Sequence, residues 1–245
     1  MLRALLCWIF ALFFLKFDEN GTYDIRFQIR GEQKVSKNII LITFNTNEFS
    51  KMYDVKTRNL INANELSDIS DSFYWDRDLW KNLLQNILKQ NPAKVGISFY
   101  FGNNVGQLRL TNQENLIFKD PRIIWAANSS EPEKLSLPIA ANTNKSNIAH
   151  IDTLKDDDGI VRRLFLTTGS IFNIAERLIP NSQQQVFSGL PVINYKGRGL
   201  FTEISYSDVI STNLPSDFFK GKTILIGAER SNHSQVQTPI GLLSR

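Results

Sequence analysis

The chain has 245 residues, of which 42% are hydrophobic, and its formal net charge is +4. This length can bury a substantial core in one large domain or two small ones. Lysines and arginines are scattered rather than gathered into runs, so the charge footprint of a nucleic-acid-binding protein is missing. The single cysteine, Cys7, excludes disulfides, thiolate metal sites and thiol catalysis from the rest of the chain. We therefore predict no nucleic-acid partner, no metal and no cofactor.

The first predicted element is an apolar segment over residues 1–17. No charged residue occurs from Ala4 to Leu15, a run shorter than the roughly 20 residues that span a bilayer comfortably. A signal peptide, a truncated signal anchor and a buried helix would all begin this way. Because no A-x-A-like cleavage site follows, we favour an uncleaved membrane anchor, complete or truncated.

The next elements predict a strand–helix–strand unit. Residues 23–31, "YDIRFQIRG", alternate apolar and polar side chains, which indicates a strand or an extended connector. "NIILITF" and "AKVGISFYF" are typical of buried strands. Between them, "DRDLWKNLLQNILKQNP" predicts a helix that starts after an Asp76 cap and stops at Asn91-Pro92. Parallel pairing of the two buried strands is expected.

The second half of the chain continues the alternation of strands and helices. Further strands are predicted in "RIIWAA", "IAHID", "IVRRLFL", "LPVINY" and "TILIGA", and further helices in "NQENLIFKD", "GSIFNIAERLIP" and "SYSDVIS". No internal repeat or linker divides the sequence. The prediction is an α/β fold, a single-domain mixed β-sheet of about seven strands with helices on both faces, preceded by the N-terminal membrane anchor helix.

The acidic stretch "DTLKDDDGIVRR", residues 152–163, has three interpretations: a calcium loop, an acid/base site or a turn. A calcium loop of EF-hand type would need oxygen ligands where Leu154 and Phe165 stand. Adjacent aspartates on an exposed turn would mostly be solvated, which disfavours acid/base chemistry. Asp158-Gly159 is a strong hairpin dipeptide, so we favour the turn. Arg162 and the next arginine would then point to opposite faces of a strand, where one can reach a carboxylate or an anionic ligand.

Candidate ligand-binding residues lie where the predicted strands end. Open α/β sheets bind ligands outside the carboxyl ends of their strands, and Asn45 and Ser98 follow two such ends. Trp75 and Arg77 belong to "FYWDRDLW", an aromatic cluster that either covers the core or forms a lid on a pocket. We predict ligand contacts at these four residues, with Arg162 as an anion contact.

Enzymatic motifs are missing from the sequence. It contains neither a G-x-S-x-G elbow nor an H-E-x-x-H helix. His150 lies in an apolar strand pattern typical of a core histidine, and His233 lies in a polar loop. A hydrolase that uses His150 with a nearby serine is the one catalytic alternative, and we predict no catalytic residue.

Several stretches resemble, in this order, the second type of CHASE domain. The matching stretches are "YDIRFQIRG", "IILITF", "WDRDLWKNLLQNILKQNPAKVGISFYF", "DDDGIVRRLFL", "INYKG", "SYSDVI" and "FFKGKTILIGA" with "TPIG" beyond it. The most specific are "DGIVRR" and the late run from "INYKG" to "FKGKTILIGA". The resemblance covers Tyr23 to Gly241. Where family members often carry aspartates, this chain has Asn45 and Ser98, which argues against an acidic or metal-assisted site.

The resemblance implies an extracytoplasmic sensor over residues 18–245 that faces the periplasm or the cell exterior. In such a receptor, transmembrane helices and a cytoplasmic output module, such as an adenylate or guanylate cyclase or a histidine kinase, follow the domain. The signal is an unidentified small molecule or environmental stimulus, and a homodimer is left open. The alternatives are a periplasmic α/β enzyme and an anchored binding protein without signalling output.

Overall fold

The computed structural model describes residues 3, 7, 8, 19–44, 77–99, 110–127, 146–168, 171–179, 190–197, 200–211, 214–228 and 235–244. The helices are α1 (Glu19–Arg30), α2 (Arg77–Lys89), α3 (Asn112–Phe118), α4 (Ile174–Leu178) and α5 (Tyr206–Ile210). The strands are β1 (Ile39–Phe44), β2 (Lys94–Ile97), β3 (Ile123–Ala126), β4 (Ile148–Ala149), β5 (Thr167–Thr168), β6 (Ile171–Phe172), β7 (Thr202–Ser205), β8 (Thr223–Ala228), β9 (Gln235–Thr238) and β10 (Gly241–Ser244).

A six-stranded sheet with the order β4-β3-β2-β8-β1-β7 forms the centre of the fold. Its described pairings are all parallel. The predicted direct pairing of the first two strands is wrong, because β8 lies between β1 and β2. Ile224 of β8 is in register with Ile40 on one side and with Val95 on the other. Short antiparallel ladders join β5 to β6 and β9 to β10.

Helices cover both faces of this sheet, as predicted. Val95 and Ile97 of β2 belong to the core cluster that also contains the buried face of α2. Gly96, between them, points the other way, because successive strand residues alternate between faces. A Cβ atom at Gly96 would lie 2.9 Å from Leu178 Cδ1 and 3.2 Å from Ile174 Cδ1, so α4 packs closely on that second face.

The helix predicted in "DRDLWKNLLQNILKQNP" is confirmed as α2. Trp80, Leu83 and Leu84 are buried along one side, as their helical spacing indicates. The helix ends before Asn91, which adopts a positive φ of 54°, and Pro92 follows. Asparagine tolerates this left-handed conformation better than most residues, and proline cannot continue a helix. The predicted cap, Asp76, lies outside the described residues.

The strand or extended connector predicted over residues 23–31 is wrong, because the chain is helical through Glu19–Arg30. Tyr23 and Phe27 are four residues apart and contact each other on the inner side, with ring centroids 4.6 Å apart. Ile25 and Ile29, also four apart, are exposed on the other side. An alternation of apolar residues therefore also fits two i, i+4 pairs on a helix, and here the helix forms.

Other predicted elements changed as well. "IVRRLFL" and "LPVINY" do not become sheet strands, and isolated bridges such as Arg163 to Val192 replace them. The helix predicted in "GSIFNIAERLIP" begins only at Ile174, because β6 takes Ile171–Phe172. Strand β7 was not predicted. Its residues Thr202 and Glu203 are exposed at the edge of the sheet and give little apolar signal.

Of the predicted anchor over residues 1–17, only Arg3, Cys7 and Trp8 are described, and they are helical. Within the part of the chain that the structure describes, no helix has both the length and the apolar character needed to cross a membrane.

Candidate functional site

The carboxyl edge of the sheet carries a partly buried ion pair between two helices. In a parallel sheet with crossover helices, each helix begins near the end at which its preceding strand stops. Arg77, the first residue of α2, donates from Nε to Glu114 Oε1 at 2.8 Å and from Nη2 to the other carboxylate oxygen. Glu114 lies in the first turn of α3 and is almost fully buried. The pair therefore fixes the starts of α2 and α3 relative to each other.

A capping box holds the same carboxylate. The Thr111 N–H donates to Glu114 Oε2 at 2.7 Å, and the Glu114 N–H donates to Thr111 Oγ1 at 3.3 Å. Burial raises the pKa of Glu114, but the hydrogen bonds from Arg77 and Thr111 outweigh it, so the pKa lies below its ordinary value. Glu114 is ionised at neutral pH and gives Arg77 a fixed partner.

Ser98 lies at the same edge. It follows β2, and its N–H donates to the carbonyl of Ile226 in β8 at 2.9 Å. The neighbouring Phe99 packs edge-on against Trp80, in the first turn of α2, with ring centroids 5.6 Å apart. The structure thus brings Arg77 and Ser98 to one end of the sheet, as predicted. The other two predicted strand-end residues, Asn45 and Trp75, lie outside the described residues.

Arg162 lies elsewhere, at the centre of an ion-pair cluster. Its side chain is 3% exposed. It donates to Asp24 of α1 through Nε at 2.9 Å and Nη2 at 2.7 Å. It also donates to Asp156 at 2.9 Å and to Asp158 at 2.9 and 2.6 Å. Of the two partners predicted for an arginine here, a carboxylate or an anionic ligand, the carboxylates are present.

Arg163 joins this cluster rather than pointing away from it. Its Nη1 donates to Asp156 Oδ1 at 2.7 Å and its Nη2 to Asn20 of α1 at 3.2 Å. The prediction of opposite faces is wrong, because this segment is not a regular strand. The expectation of solvated aspartates fails for Asp156, whose side chain is only 11% exposed, whereas Asp158 is half exposed. We call Asp24, Asp156, Asp158, Arg162 and Arg163 the arginine–aspartate cluster.

The predicted turn is confirmed within residues 154–163, which we call the acidic hairpin. The Gly159 N–H donates to the Asp156 carbonyl at 2.8 Å, and the Asp156 N–H donates to the Ile160 carbonyl at 2.9 Å. Gly159 has a φ of 81°, which a residue with a Cβ atom rarely adopts. The hydrogen bond from Arg162 lowers the pKa of Asp158 to about 2. Within the described ranges, no grouping of histidine, cysteine and carboxylate side chains could hold a metal ion.

Helix α1 is attached to a second segment, residues 190–197. Tyr23 donates its hydroxyl hydrogen to the Ile193 carbonyl. Arg30 donates to Asn194 Oδ1 at 2.8 Å and to the Tyr195 carbonyl. The Tyr195 ring contacts Phe27 edge-on, with centroids 6.1 Å apart. Burial of Tyr195 raises the pKa of its hydroxyl above the ordinary value, so the group stays protonated and can donate.

His150 is fully buried after β4. Its Nε2 lies 3.3 Å from the Leu166 carbonyl, and its Nδ1 lies 3.7 Å from the Asp152 carboxylate without a hydrogen bond. Burial lowers the pKa of His150, so the ring is neutral at pH 7. The contact with Leu166 fits the predicted core histidine. No serine occurs among these partners.

Sequence reasoning missed several residues of these two sites. Glu114 had a visible signal, because Thr111 and Glu114 have the spacing of a capping box before an apolar helix. Asp24 had no such signal in the sequence, because the alternating pattern of its segment predicts an extended chain rather than a helix. Tyr195 had none either, because its partners are remote in sequence, with Val161 34 positions away. Contacts of this kind depend on the tertiary fold.

Comparison with known proteins identifies the family. The profile of the CHASE2 domain matches residues 3–245, nearly the whole chain. No curated protein and no solved structure gives a match. The family profile confirms the resemblance inferred from "DGIVRR" and the late run of motifs. The chain belongs to the CHASE2 family, whose members are extracytoplasmic sensory domains of signalling receptors.

Proposed function

We propose that this chain is the signal-perceiving domain of a membrane-bound receptor and that it controls a cytoplasmic output module, such as an adenylate or guanylate cyclase or a histidine kinase. The observation that carries the proposal is the family match over residues 3–245. The domain performs no chemistry itself in this proposal. It is anchored by residues 1–17 and faces the periplasm or the cell exterior.

A sensor needs two conformations that bind its signal differently, because a ligand with equal affinity for both would transmit nothing. We assign the ligand contacts to the carboxyl edge of the sheet. There Arg77 is held by Glu114, and Ser98 follows β2. Asn45 and Trp75 complete the proposed set from their sequence positions. Arg162 remains a proposed anion contact, and an incoming anion would have to displace a carboxylate from it.

The test uses the native protein in its own cells, detected with an antibody against this domain. We expect a membrane-bound species well above the 28.0 kDa of this chain, because an output module would be part of it. When the outer envelope is opened and the inner membrane is kept intact, protease added from outside should degrade the domain and remove the antibody signal. A species near 28.0 kDa, or one that external protease does not reach, would contradict the proposal.

The ligand contacts are tested in the full receptor by cyclase activity and by histidine autophosphorylation across a series of growth conditions. We expect Arg77→Ala and Ser98→Ala to abolish the change of output between conditions. Asp78→Asn is the matched control, because its carboxylate follows Arg77 in the chain, is 81% exposed and pairs with Lys81 on the surface of α2. An unchanged response in both alanine variants would contradict the assignment.

A further inference from the structure

We propose that the acidic hairpin couples α1 to β9, so that a displacement of one is passed to the other through Arg162 and Val161. The inference rests on the proposed receptor function and adds the route by which the sensor body moves its membrane-proximal helix. Coupling of this kind is carried by contiguous hydrogen bonds between elements that move as units. The two sides of the hairpin provide such contacts.

The first side of the hairpin holds α1. Arg162 makes two hydrogen bonds to Asp24, one to each carboxylate oxygen, in the bidentate geometry that arginine favours. Arg163 adds a bond to Asn20, one helical turn earlier. Asp24 and Asn20 are four residues apart, so both contacts lie on one side of α1. The hairpin therefore fixes the position of this helix along its axis as well as its rotation.

The second side of the hairpin holds β9. Ile160 forms an isolated parallel bridge with Gln237, and the Val161 N–H donates to the Gln237 carbonyl at 2.9 Å. Val161 is directly followed by Arg162 in the chain. A single peptide step thus separates the residue that binds α1 from the residue that binds β9.

Val161 also receives a contact from the α1 side. Tyr195 donates its hydroxyl hydrogen to the Val161 carbonyl at 2.7 Å, and its ring packs against Phe27 of α1. The Ile193 N–H donates to the Arg162 carbonyl at 2.8 Å. Both peptide groups that flank Arg162 are therefore bonded to neighbouring segments. The hairpin backbone cannot shift at one side without a change at the other.

The ion-pair side of this route can loosen independently of the sheet. The core cluster of the sheet contains neither α1 nor hairpin residues. Local opening requires a region held by few buried apolar contacts, and here charged hydrogen bonds to Asp24 add to the ring contacts of Phe27. Both bonds from Arg162 to α1 end on the Asp24 carboxylate, so a substitution of Asp24 tests this step of the route.

The experiment measures amide hydrogen exchange by NMR in the full chain, for the wild type and for Asp24→Asn. The substitution keeps the size of the side chain and removes the charge that Arg162 binds. We expect exchange to rise about tenfold or more at the α1 amides, since hydrogen bonds to charged groups are worth more than one factor of ten. The coupling further predicts a rise of similar size at the Val161 amide, which reports the bond to β9.

Two controls separate the coupling from general loosening. The Ser98 amide, bonded to Ile226 in the sheet, should exchange at the wild-type rate in Asp24→Asn. The variant Asp78→Asn removes a carboxylate from the exposed Lys81 pair and should change none of these amides. Faster exchange at α1 with an unchanged Val161 amide would overturn the proposal, as would equal acceleration at Ser98.

The outcome is independent of the test of the receptor function. If the native protein is not a membrane receptor, the proposed function fails whatever the exchange rates show. If it is a receptor and the Val161 amide is unaffected by Asp24→Asn, the coupling route fails and the receptor function stands.

Discussion

The sheet core and the arginine–aspartate cluster differ in the side chains that they bury, which are apolar in the sheet core and charged in the cluster. The largest side chains of the sheet core are apolar, with Trp80, Trp125 and Phe44 at 0% exposure. At the centre of the cluster the buried group is the Arg162 guanidinium. Apolar burial is non-directional and depends weakly on pH, whereas buried ion pairs require every partner in its charged form. The sheet is thus suited to be a rigid body, and the cluster to be the part that responds.

The largest effect is expected from a cavity in the sheet core. Phe44 packs against Trp80 and Tyr206, with ring centroids 5.8 and 4.7 Å away. We expect Phe44→Ala to lower the free energy of unfolding by about 3–5 kcal/mol, because the lost contacts and the residual cavity add. Urea denaturation followed by circular dichroism measures the change.

The matched control for this prediction is Leu116→Ala. Leu116 is exposed on α3, so its truncation should change the free energy of unfolding by no more than about 0.5 kcal/mol. If Phe44→Ala were as mild as this control, the sheet would not be the rigid part of the molecule.

The next effect comes from removing the centre of the cluster. Arg162→Ala takes both hydrogen bonds of its guanidinium from the largely buried Asp24 carboxylate and leaves Asp156 with Arg163 as its remaining described arginine partner. We expect a loss of about 3 kcal/mol in the free energy of unfolding, the cost of breaking a buried pair from one side. Arg162→Lys should recover only part of this loss, because an ammonium group cannot make the bidentate bonds.

An exposed pair supplies the comparison for Arg162. Lys81→Ala removes the ion pair to Asp78 on the surface of α2 and should change the free energy of unfolding by less than about 1 kcal/mol. Equal losses of the free energy of unfolding in Arg162→Ala and Lys81→Ala would show that burial does not strengthen the ion pairs of the cluster. Equilibrium urea unfolding at neutral pH distinguishes these outcomes.

The difference between the sheet core and the arginine–aspartate cluster also explains how much of the molecule could be predicted from its sequence. Continuous apolar runs such as β1 and β8, and the helical spacing of α2, carry their burial in local patterns, so these elements were predicted. The order of strands was not, because the insertion of β8 between β1 and β2 is decided by the whole sheet. The turn at Asp158-Gly159 is local and was predicted.

The cluster itself was predictable only in part. An inward-reaching arginine was expected, but its partner Asp24 lies 138 positions away in the chain. Helix α1 was not predicted, because its apolar residues at odd-numbered positions fit the alternation of a strand and two i, i+4 pairs of a helix equally well. Ser98 and Arg77 were placed at the correct edge by the general rule for parallel sheets, yet the Glu114 partner required the packing of α3 on α2.

A smaller effect is expected from acid titration of the cluster. Arg162 holds the folded pKa of Asp158 at about 2, below its ordinary value of 3.8. A carboxylate with a lowered folded pKa stabilises the fold above its unfolded pKa, and the stability is lost as the pH falls through the folded pKa. Between pH 4 and pH 2 the Tm of the wild type should therefore fall more steeply than that of Asp158→Asn.

Asp157→Asn is the control for this titration, since it removes an exposed carboxylate from the same turn. It should keep the steep acid dependence of the wild type, as followed by Tm in scanning calorimetry. A flattening equal to that of Asp158→Asn would assign the effect to the net charge of the turn rather than to the bond with Arg162.

The smallest effect is expected from His150, at the border between β4 and the acidic hairpin. Burial lowers its pKa below the ordinary value of 6.5, although the charges of Asp152 and Glu176 act in the opposite direction. A histidine with a lowered folded pKa stabilises the fold fully above its unfolded pKa, and this contribution is lost as the pH falls below about 6.5. His150→Gln should therefore show a smaller decrease in Tm than the wild type between pH 7.5 and 5.5.

Asp152 provides a control of opposite sign for His150. Its carboxylate lies 3.7 Å from Nδ1 and favours the protonated ring, so Asp152→Asn should lower the pKa of His150 further. The Tm of this variant should then decrease more over the same pH range than the Tm of the wild type. If His150→Gln and Asp152→Asn shifted the pH dependence in the same direction, the interaction between ring and carboxylate would not explain it. Opposite shifts would assign this part of the pH dependence of Tm to the titration of His150 rather than to the arginine–aspartate cluster.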